Sequence, residues 1–143
     1  MANLNFNKRD PIYLQVIEHF RSLLVSEQLG LGEELPSRRQ IAQQFGINPN
    51  TVQRAFKEME AKKWINTEPN RPSQVTRDPA VLKQIKNDYL KKSIREFVSS
   101  IQTIDITYEE VSALLLDEIK KQESQRTEIK EQANTKNGGI NND

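Results

Sequence analysis

Between Pro36 and Ala61 the chain writes a helix start, a helix stop and a second helix start with only Gly46, Ile47 and Asn48 to turn in. Ser37 stands three places before Gln40. That is the spacing of a capping box, in which the hydroxyl accepts from the later amide and the later side chain reaches back. Gly46 ends the helix, because glycine takes the left-handed conformation of a helix C-cap without steric cost. Asn48-Pro49 then reopens the chain as helix at once, with a short polar cap followed by a ring whose fixed φ suits the first helical position. Ile41, Ala42 and Phe45 line one face of the earlier helix, and Val52, Ala55, Phe56 and Met59 one face of the later. Helix, glycine-containing turn and helix make a helix-turn-helix arrangement.

The flanks extend this unit. Asp10-Pro11 predicts the start of a first helix, capped by the carboxylate and closed at Leu29-Gly30, with Val16, Ile17, Phe20, Leu23 and Leu24 on one face. Leu31 to Leu35 reads as a short loop. After Lys63 come Trp64-Ile65-Asn66-Thr67-Glu68, then Pro69-Asn70-Arg71-Pro72, then Ser73-Gln74-Val75-Thr76. Two short strands around a polar turn fit this pattern, and its prolines belong at the tip or an edge, where no ladder amide is missed. Asp78-Pro79 opens a long amphipathic helix bearing Leu82, Ile85, Tyr89, Leu90, Ile94, Phe97, Val98 and Ile101. Thr107 to Glu110 is a second capping box, opening a last helix with Val111, Leu114, Leu115 and Ile119 inward. Two helices cannot enclose a core, so their apolar faces must pack on each other, on the first domain or on a second copy. The expected organisation is an arm over 1–9, a winged helix-turn-helix domain over 10–78, a helical appendage over 79–123 and a polar, disordered tail over 124–143. The fold class is mainly α with a small β-wing.

Composition bears on function only when it is divided. The chain has 143 residues and a net charge of +1, which alone argues against a protein built to bind nucleic acid. Yet Arg38, Arg39, Arg54, Lys57, Lys62, Lys63, Arg71 and Arg77 face only Glu58, Glu60 and Glu68 within residues 38–77, leaving +5 on that stretch. The flanks, 1–37 and 78–143, carry −2 each. Cysteine is absent and His19 is the single histidine, so thiol chemistry, disulfides, metal ligation and histidine-based triads are poor expectations, and no cofactor is expected. No apolar run is long enough to span a bilayer and the start of the chain has no signal-peptide core; the expectation is a cytoplasmic protein with no membrane partner.

The stretch from Leu35 to Ile65 closely resembles the DNA-binding domain of GntR-family bacterial transcriptional regulators. The matching positions are Leu35, Pro36, Ser37, Arg39, Gly46, Thr51, Val52 and Ala55, within a resemblance covering about residues 10–78. Asn48-Pro49-Asn50-Thr51-Val52 and the short C-terminal part are similar to the YtrA-type subgroup. In that subgroup two helices used for dimerisation replace a long effector domain. The resemblance implies that Arg39 is the contacting arginine and that residues 50, 51 and 53 lie where family members touch DNA. Two departures matter: Gln53 stands where the family often has Arg, and Asn70-Arg71-Pro72-Ser73-Gln74-Val75 replaces the usual glycine-rich wing tip.

The residue chemistry agrees with that implication. A helix in the major groove presents its N-terminal side chains to base edges and its amides to a phosphate. Arg pairs with guanine, Gln or Asn with adenine, and Thr with a thymine methyl or a phosphate. The candidate DNA contacts are therefore Ser37, Arg38, Arg39, Asn48, Asn50, Thr51, Gln53, Arg54 and Arg71, and the candidate dimer contacts Leu82, Ile85, Tyr89, Phe97, Ile101, Leu114 and Leu115. Plainer readings stand beside these: Ser37 and Asn48 are caps in any case, Arg38, Arg39 and Arg71 solvated charges, Trp64 a core anchor rather than a stacking platform, and His19 a surface or packing residue with no metal role. The expected function is a homodimeric, non-enzymatic transcriptional repressor that binds a pseudo-palindromic double-stranded operator through residues 49–62 and a wing at 64–77. The alternative is a protein-interaction module using the winged-helix scaffold and the C-terminal helices. A small-molecule effector of unknown identity, if there is one, would sit in the dimer crevice or between domains.

Overall fold

The computed structural model describes residues 4–138. The elements run α1 (Ile12–Val25), α2 (Arg38–Phe45), α3 (Pro49–Ala61), β1 (Ile65–Asn66), β2 (Gln74–Val75), α4 (Pro79–Ser100) and α5 (Tyr108–Asn137). The chain divides into two compact units, one up to Phe97 and one from Val98.

In the first unit α3 packs against both α1 and α2, and their apolar stripes meet in one core. Phe20 and Phe56 meet edge to face at its centre, ring centroids 6.1 Å apart, both almost wholly shielded from solvent. Trp64, Ile65 and Val75 continue this core under the wing. Trp64 is thus an anchor, flanked by Arg21 at 5.3 Å and Lys62 at 5.1 Å from its ring.

The helix-turn-helix forms as its local chemistry dictates. Ser37 Oγ accepts from the Gln40 amide at 3.1 Å while the Ser37 amide donates to Gln40 Oε1 at 2.9 Å, so both halves of the capping box are made. Gly46 takes φ 65°, and the Ile47 amide returns to the Ala42 carbonyl. Asn48 Oδ1 caps α3 by accepting from the Asn50 amide at 2.8 Å.

Helix α1 differs from expectation at both ends. Asp10 does not cap it: its Oδ2 accepts from Asn7 Nδ2, and Gln15 Nε2 donates to the Asp10 and Asn7 carbonyls instead. At the other end the helix stops at Val25, and the chain reverses at Glu27, φ 61°, rather than at Gly30. The Leu29 amide then donates to the Leu23 carbonyl. Glu27 is held in this turn by an ion pair to Lys86 of α4, and the contact keeps its carboxyl below the usual carboxylate range.

Strands β1 and β2 pair antiparallel, Ile65 opposite Val75 and Asn66 opposite Gln74. The stretch expected as a loop supplies a third, short edge: Val75 donates to the Glu33 carbonyl and Leu35 to that of Ser73, each at 2.8 Å, with a bridge between Glu34 and Gln74. At the wing tip Arg71 donates back to the Glu68 carbonyl across Pro69 and Asn70, with Asn70 at φ 60°. Proline second and a positive φ third is the type II turn pattern.

Helix α4 opens on Asp78, whose Oδ1 accepts from the Ala80 amide. Its first turns belong to the winged-helix core: Ile85 is buried, and Val81 and Leu82 pack partly against the same cluster. Ile85 is therefore a core residue rather than a dimer contact, and Leu82 spends part of its surface the same way. The cause is position: these residues follow the wing directly and fall back on the core. Farther along, Tyr89, Leu90, Ile94 and Phe97 are exposed.

The second unit is carried by α5, capped by Thr107 Oγ1 accepting from the Glu110 amide. No residue of α5 is buried, and Leu114, Leu115, Leu116 and Ile119 lie open. Disorder from residue 124 is not what the structure shows, since α5 runs on to Asn137. The run Gln125 to Lys136 is rich in Gln, Glu, Arg, Lys and Ala, strong helix formers that continue a helix already nucleated. Residues 139–143, also placed in that tail, lie outside the described range.

Candidate nucleic-acid interface

Anchored through Val52, Ala55, Phe56 and Met59, α3 must turn its opposite face outward. Residues three and four apart share a helix face, which groups Asn50, Gln53, Arg54 and Lys57. Asn50, Arg54 and Lys57 are exposed and Gln53 half-buried, with Thr51 half-buried at the margin. The first turn of α3 carries no acid. The amides of Asn50, Thr51 and Val52 are all taken by Asn48, so what this end of α3 offers is its positive dipole end and a row of amide and cationic side chains, which favour anions and hydrogen-bonding edges. Lys57 was absent from the named sequence candidates, although its four-residue offset from Gln53 marks it.

Among these side chains Arg54 has a distinct setting, with its guanidinium carbon 3.8 Å from the centroid of the Tyr13 ring on α1.

The two arginines opening α2 part company. Arg39 is exposed and has no ion-pair partner among the described residues. Arg38 is half-buried: its guanidinium lies 5.1 Å from the Phe56 ring centre and donates to Glu60 Oε1 at 3.1 Å. The same Glu60 oxygen accepts from Thr67 Oγ1 at 2.6 Å, and Thr67 shares a hydrogen bond of 2.7 Å with Ser73. The network ties α2, α3 and both sides of the wing together. Its effect is to hold the wing at a set angle to α3.

At the wing, Arg71 pairs with Glu68 at 3.3 Å, both side chains well exposed. Such a pair contributes little and exchanges easily, so Arg71 remains open to another anion. Beside it a polar groove of about 420 Å³ is lined by Asn66, Gln74, Pro72 and a further arginine, Arg77. Sequence reasoning counted Arg77 in the basic stretch without naming it as a contact. Its side chain lies 3.4 Å from where a Cβ on Gly32 would stand. Ser37 and Asn48 are exposed, each engaged as a cap.

His19 lies apart from this surface, half-buried and edge-on to Phe45 at 5.3 Å and Phe20 at 5.8 Å. Burial depresses its pKa below the ordinary histidine value. It is a packing residue, as its isolation in the sequence suggested. Among the described residues no helix is long and apolar enough to cross a membrane.

A helix-turn-helix closed by an antiparallel wing, with its second helix turned outward, defines a winged-helix protein. The family described as "Bacterial regulatory proteins, gntR family" matches residues 12–75. The HTH-type transcriptional regulator YhcF of Bacillus subtilis is 30% identical over 106 residues, spanning 74% of this chain and 88% of YhcF. The chain belongs to the GntR family and is a transcriptional regulator of that family. The HTH-type transcriptional repressor YtrA of the same organism is 28% identical over 99 residues, covering 68% of this chain and 76% of YtrA. Among solved structures, a GntR family transcriptional regulator from Listeria monocytogenes superposes with a TM-score of 0.72 at 28% identity, covering 78% of this chain and 98% of its own. A transcriptional regulator from Oenococcus oeni gives 0.68 at 27%, covering 83% and 99%.

Proposed function

We propose that the protein is a cytoplasmic, homodimeric repressor that reads a pseudo-palindromic operator, with α3 in the major groove and the wing beside it. The observation that carries this reading is the solvent-facing row Asn50, Gln53, Arg54 and Lys57 on a helix whose other face is locked in the core. Asn50, Gln53 and Arg54 would discriminate bases, while Thr51, Lys57, Arg39 and the wing arginines Arg71 and Arg77 supply phosphate contacts. The amides of Arg38 and Arg39 at the start of α2, beside Ser37, would add to the backbone contacts. Arg38 acts chiefly by holding the wing, its charge being met by Glu60.

Dimerisation is supported by the exposed apolar side chains Tyr89, Leu90, Ile94 and Phe97 on α4 and Leu114, Leu115 and Ile119 on α5, with half-buried Ile101 between the helices. Exposed apolar side chains in such number on each helix mark interaction surfaces. A two-fold homodimer would present two α3 helices to successive major grooves, about 34 Å apart. The repressor name of YtrA supports repression over activation.

The test is selection of bound sequences from a random duplex pool with the purified protein, at two salt concentrations. Enrichment of an inverted repeat with half-sites one helical turn apart, or a multiple of it, is expected, along with a steep loss of affinity at the higher salt. No enriched repeat at either salt would sink the reading.

A further inference from the structure

Asn50, Gln53 and Lys57 have no side-chain hydrogen bond or ion pair among the described residues, whereas the guanidinium carbon of Arg54 lies over the Tyr13 ring, 3.8 Å from its centroid. Tyr13 sits in the first turn of α1, half-buried. That helix is in turn fixed to α3 by the core pair Phe20 and Phe56. The ring is thus a rigid platform beside the exposed face of α3.

A guanidinium has two kinds of surface. Its flat faces carry no donors, and its edge carries five N–H groups in a fixed fork. Stacking on Tyr13 occupies a face and leaves the edge free. An arginine so held has given up much of its rotamer freedom before any partner arrives, which lowers the cost of ordering it on binding. The ring quadrupole also attracts the cation more strongly as water is excluded from the stack.

We propose that Tyr13, on a helix that does not itself enter the groove, is a positioning residue that aims Arg54 at the operator. The inference rests on the reading of α3 as the operator-reading helix. Tyr13 acts through Arg54, so its influence should fall on the base pair that Arg54 reads and on no other.

The experiment uses the full chain and the operator recovered by selection, with Tyr13→Leu, Tyr13→Phe, Arg54→Ala and the double variant Tyr13→Leu/Arg54→Ala. Tyr13→Leu removes the π-face and is expected to weaken operator binding about fivefold, while Tyr13→Phe, which keeps the ring, recovers most of that loss. In the Arg54→Ala background Tyr13→Leu should add nothing. Base substitutions scanned across the operator should show Tyr13→Leu relaxing the same position that Arg54→Ala relaxes. Parent-like binding by Tyr13→Leu, or losses that simply multiply in the double variant, overturn the inference while leaving the operator reading intact. A parent protein that selects no sequence removes both. Thermal melts establish that each variant is folded. Should Tyr13→Leu not fold, Tyr13→Met takes its place, and the Arg54 side-chain proton resonances of the parent give a second measure: upfield displacement by the ring is expected, and random-coil positions overturn the stack.

Discussion

Arg38 and Arg39 are neighbours with the same side chain and different work. The guanidinium of Arg38 is held between the Phe56 ring and Glu60, and through Glu60 it is coupled to Thr67 and Ser73 of the wing. Removing it leaves Glu60 without its cation and the wing less firmly attached. Arg38→Ala is expected to cost about 1–2 kcal/mol of folding stability, seen as a lower melting temperature. Arg39→Ala should change stability by less than about 0.5 kcal/mol. On the proposed reading its effect belongs to binding: affinity should fall uniformly across DNA sequences, and the slope of log affinity against log salt should drop by about 1. A melt combined with DNA titration at several salt concentrations separates the two residues, and equal behaviour in both measurements would refute the division of labour. The family resemblance singles out Arg39 as a contact, but nothing local in the sequence marks Arg38 as the one held in the packed structure, because both follow Ser37 at a helix start. The distinction comes from Glu60, 22 residues away, which only the packed structure brings to Arg38. Arg54 is a similar case: its exposure on α3 follows from helical spacing, but its platform, Tyr13, lies on another helix.

Elements with strong local signals were legible in the sequence, and elements made by tertiary pairing were not. The capping box at Ser37, the left-handed Gly46 and the Asn48-Pro49 start all act within four residues, so the chain alone specifies α2, its turn and the start of α3. By contrast Glu33, Glu34 and Leu35 have weak strand propensity and become a strand edge only because Ser73 and Val75 offer partners. The start of α1 misled for a related reason: Asn7 engages the Asp10 carboxylate and Gln15 the Asp10 carbonyl, so Asp10 is tied to the preceding segment and not to the helix amides. Two substitutions measure the strong signals. Ser37→Ala loses the acceptor of the box and should destabilise by about 1 kcal/mol. At Gly46 an added Cβ would meet nothing within 4 Å, so Gly46→Ala isolates the cost of φ 65°, about 1 kcal/mol, without a steric contribution. Denaturant titration of both variants tests this. A Gly46→Ala protein as stable as the parent would show that the turn can relax out of the left-handed conformation.

At the scale of the molecule, stability and assembly draw on different surfaces. His19, packed against Phe20 and Phe45, has its pKa lowered by burial, so the unfolded chain binds a proton at His19 more readily than the folded one. Stability contributed there is present above the unfolded value of about 6.5 and is lost as pH falls from that value through the lowered folded one. A melting temperature that declines between about pH 7.5 and about pH 5.5 is expected, with a flatter profile for His19→Gln; identical profiles would dismiss the effect. The Glu27 carboxyl, also held low, responds at more acid pH, as pH falls from its ordinary value through its lowered one. The proposed dimer would draw on the exposed apolar side chains of α4 and α5, and here Ile85 and Leu114 make the decisive contrast. Ile85 is 4% exposed and part of the winged-helix core, whereas Leu114 is 65% exposed. A charge at position 85 must be buried in an apolar core, so Ile85→Glu should unfold the first unit or lower its melting temperature steeply. A charge at position 114 meets solvent in a single chain and an apolar partner in a dimer. Leu114→Glu should therefore keep the parent's helical content and yield one chain's mass by light scattering where the parent gives two. Operator affinity should fall more than about tenfold, because one recognition helix alone reads only half the site, while binding to non-specific DNA changes far less. A parent that scatters as a single chain, or a Leu114→Glu variant that remains dimeric on the operator, would break the link between these helices and DNA reading.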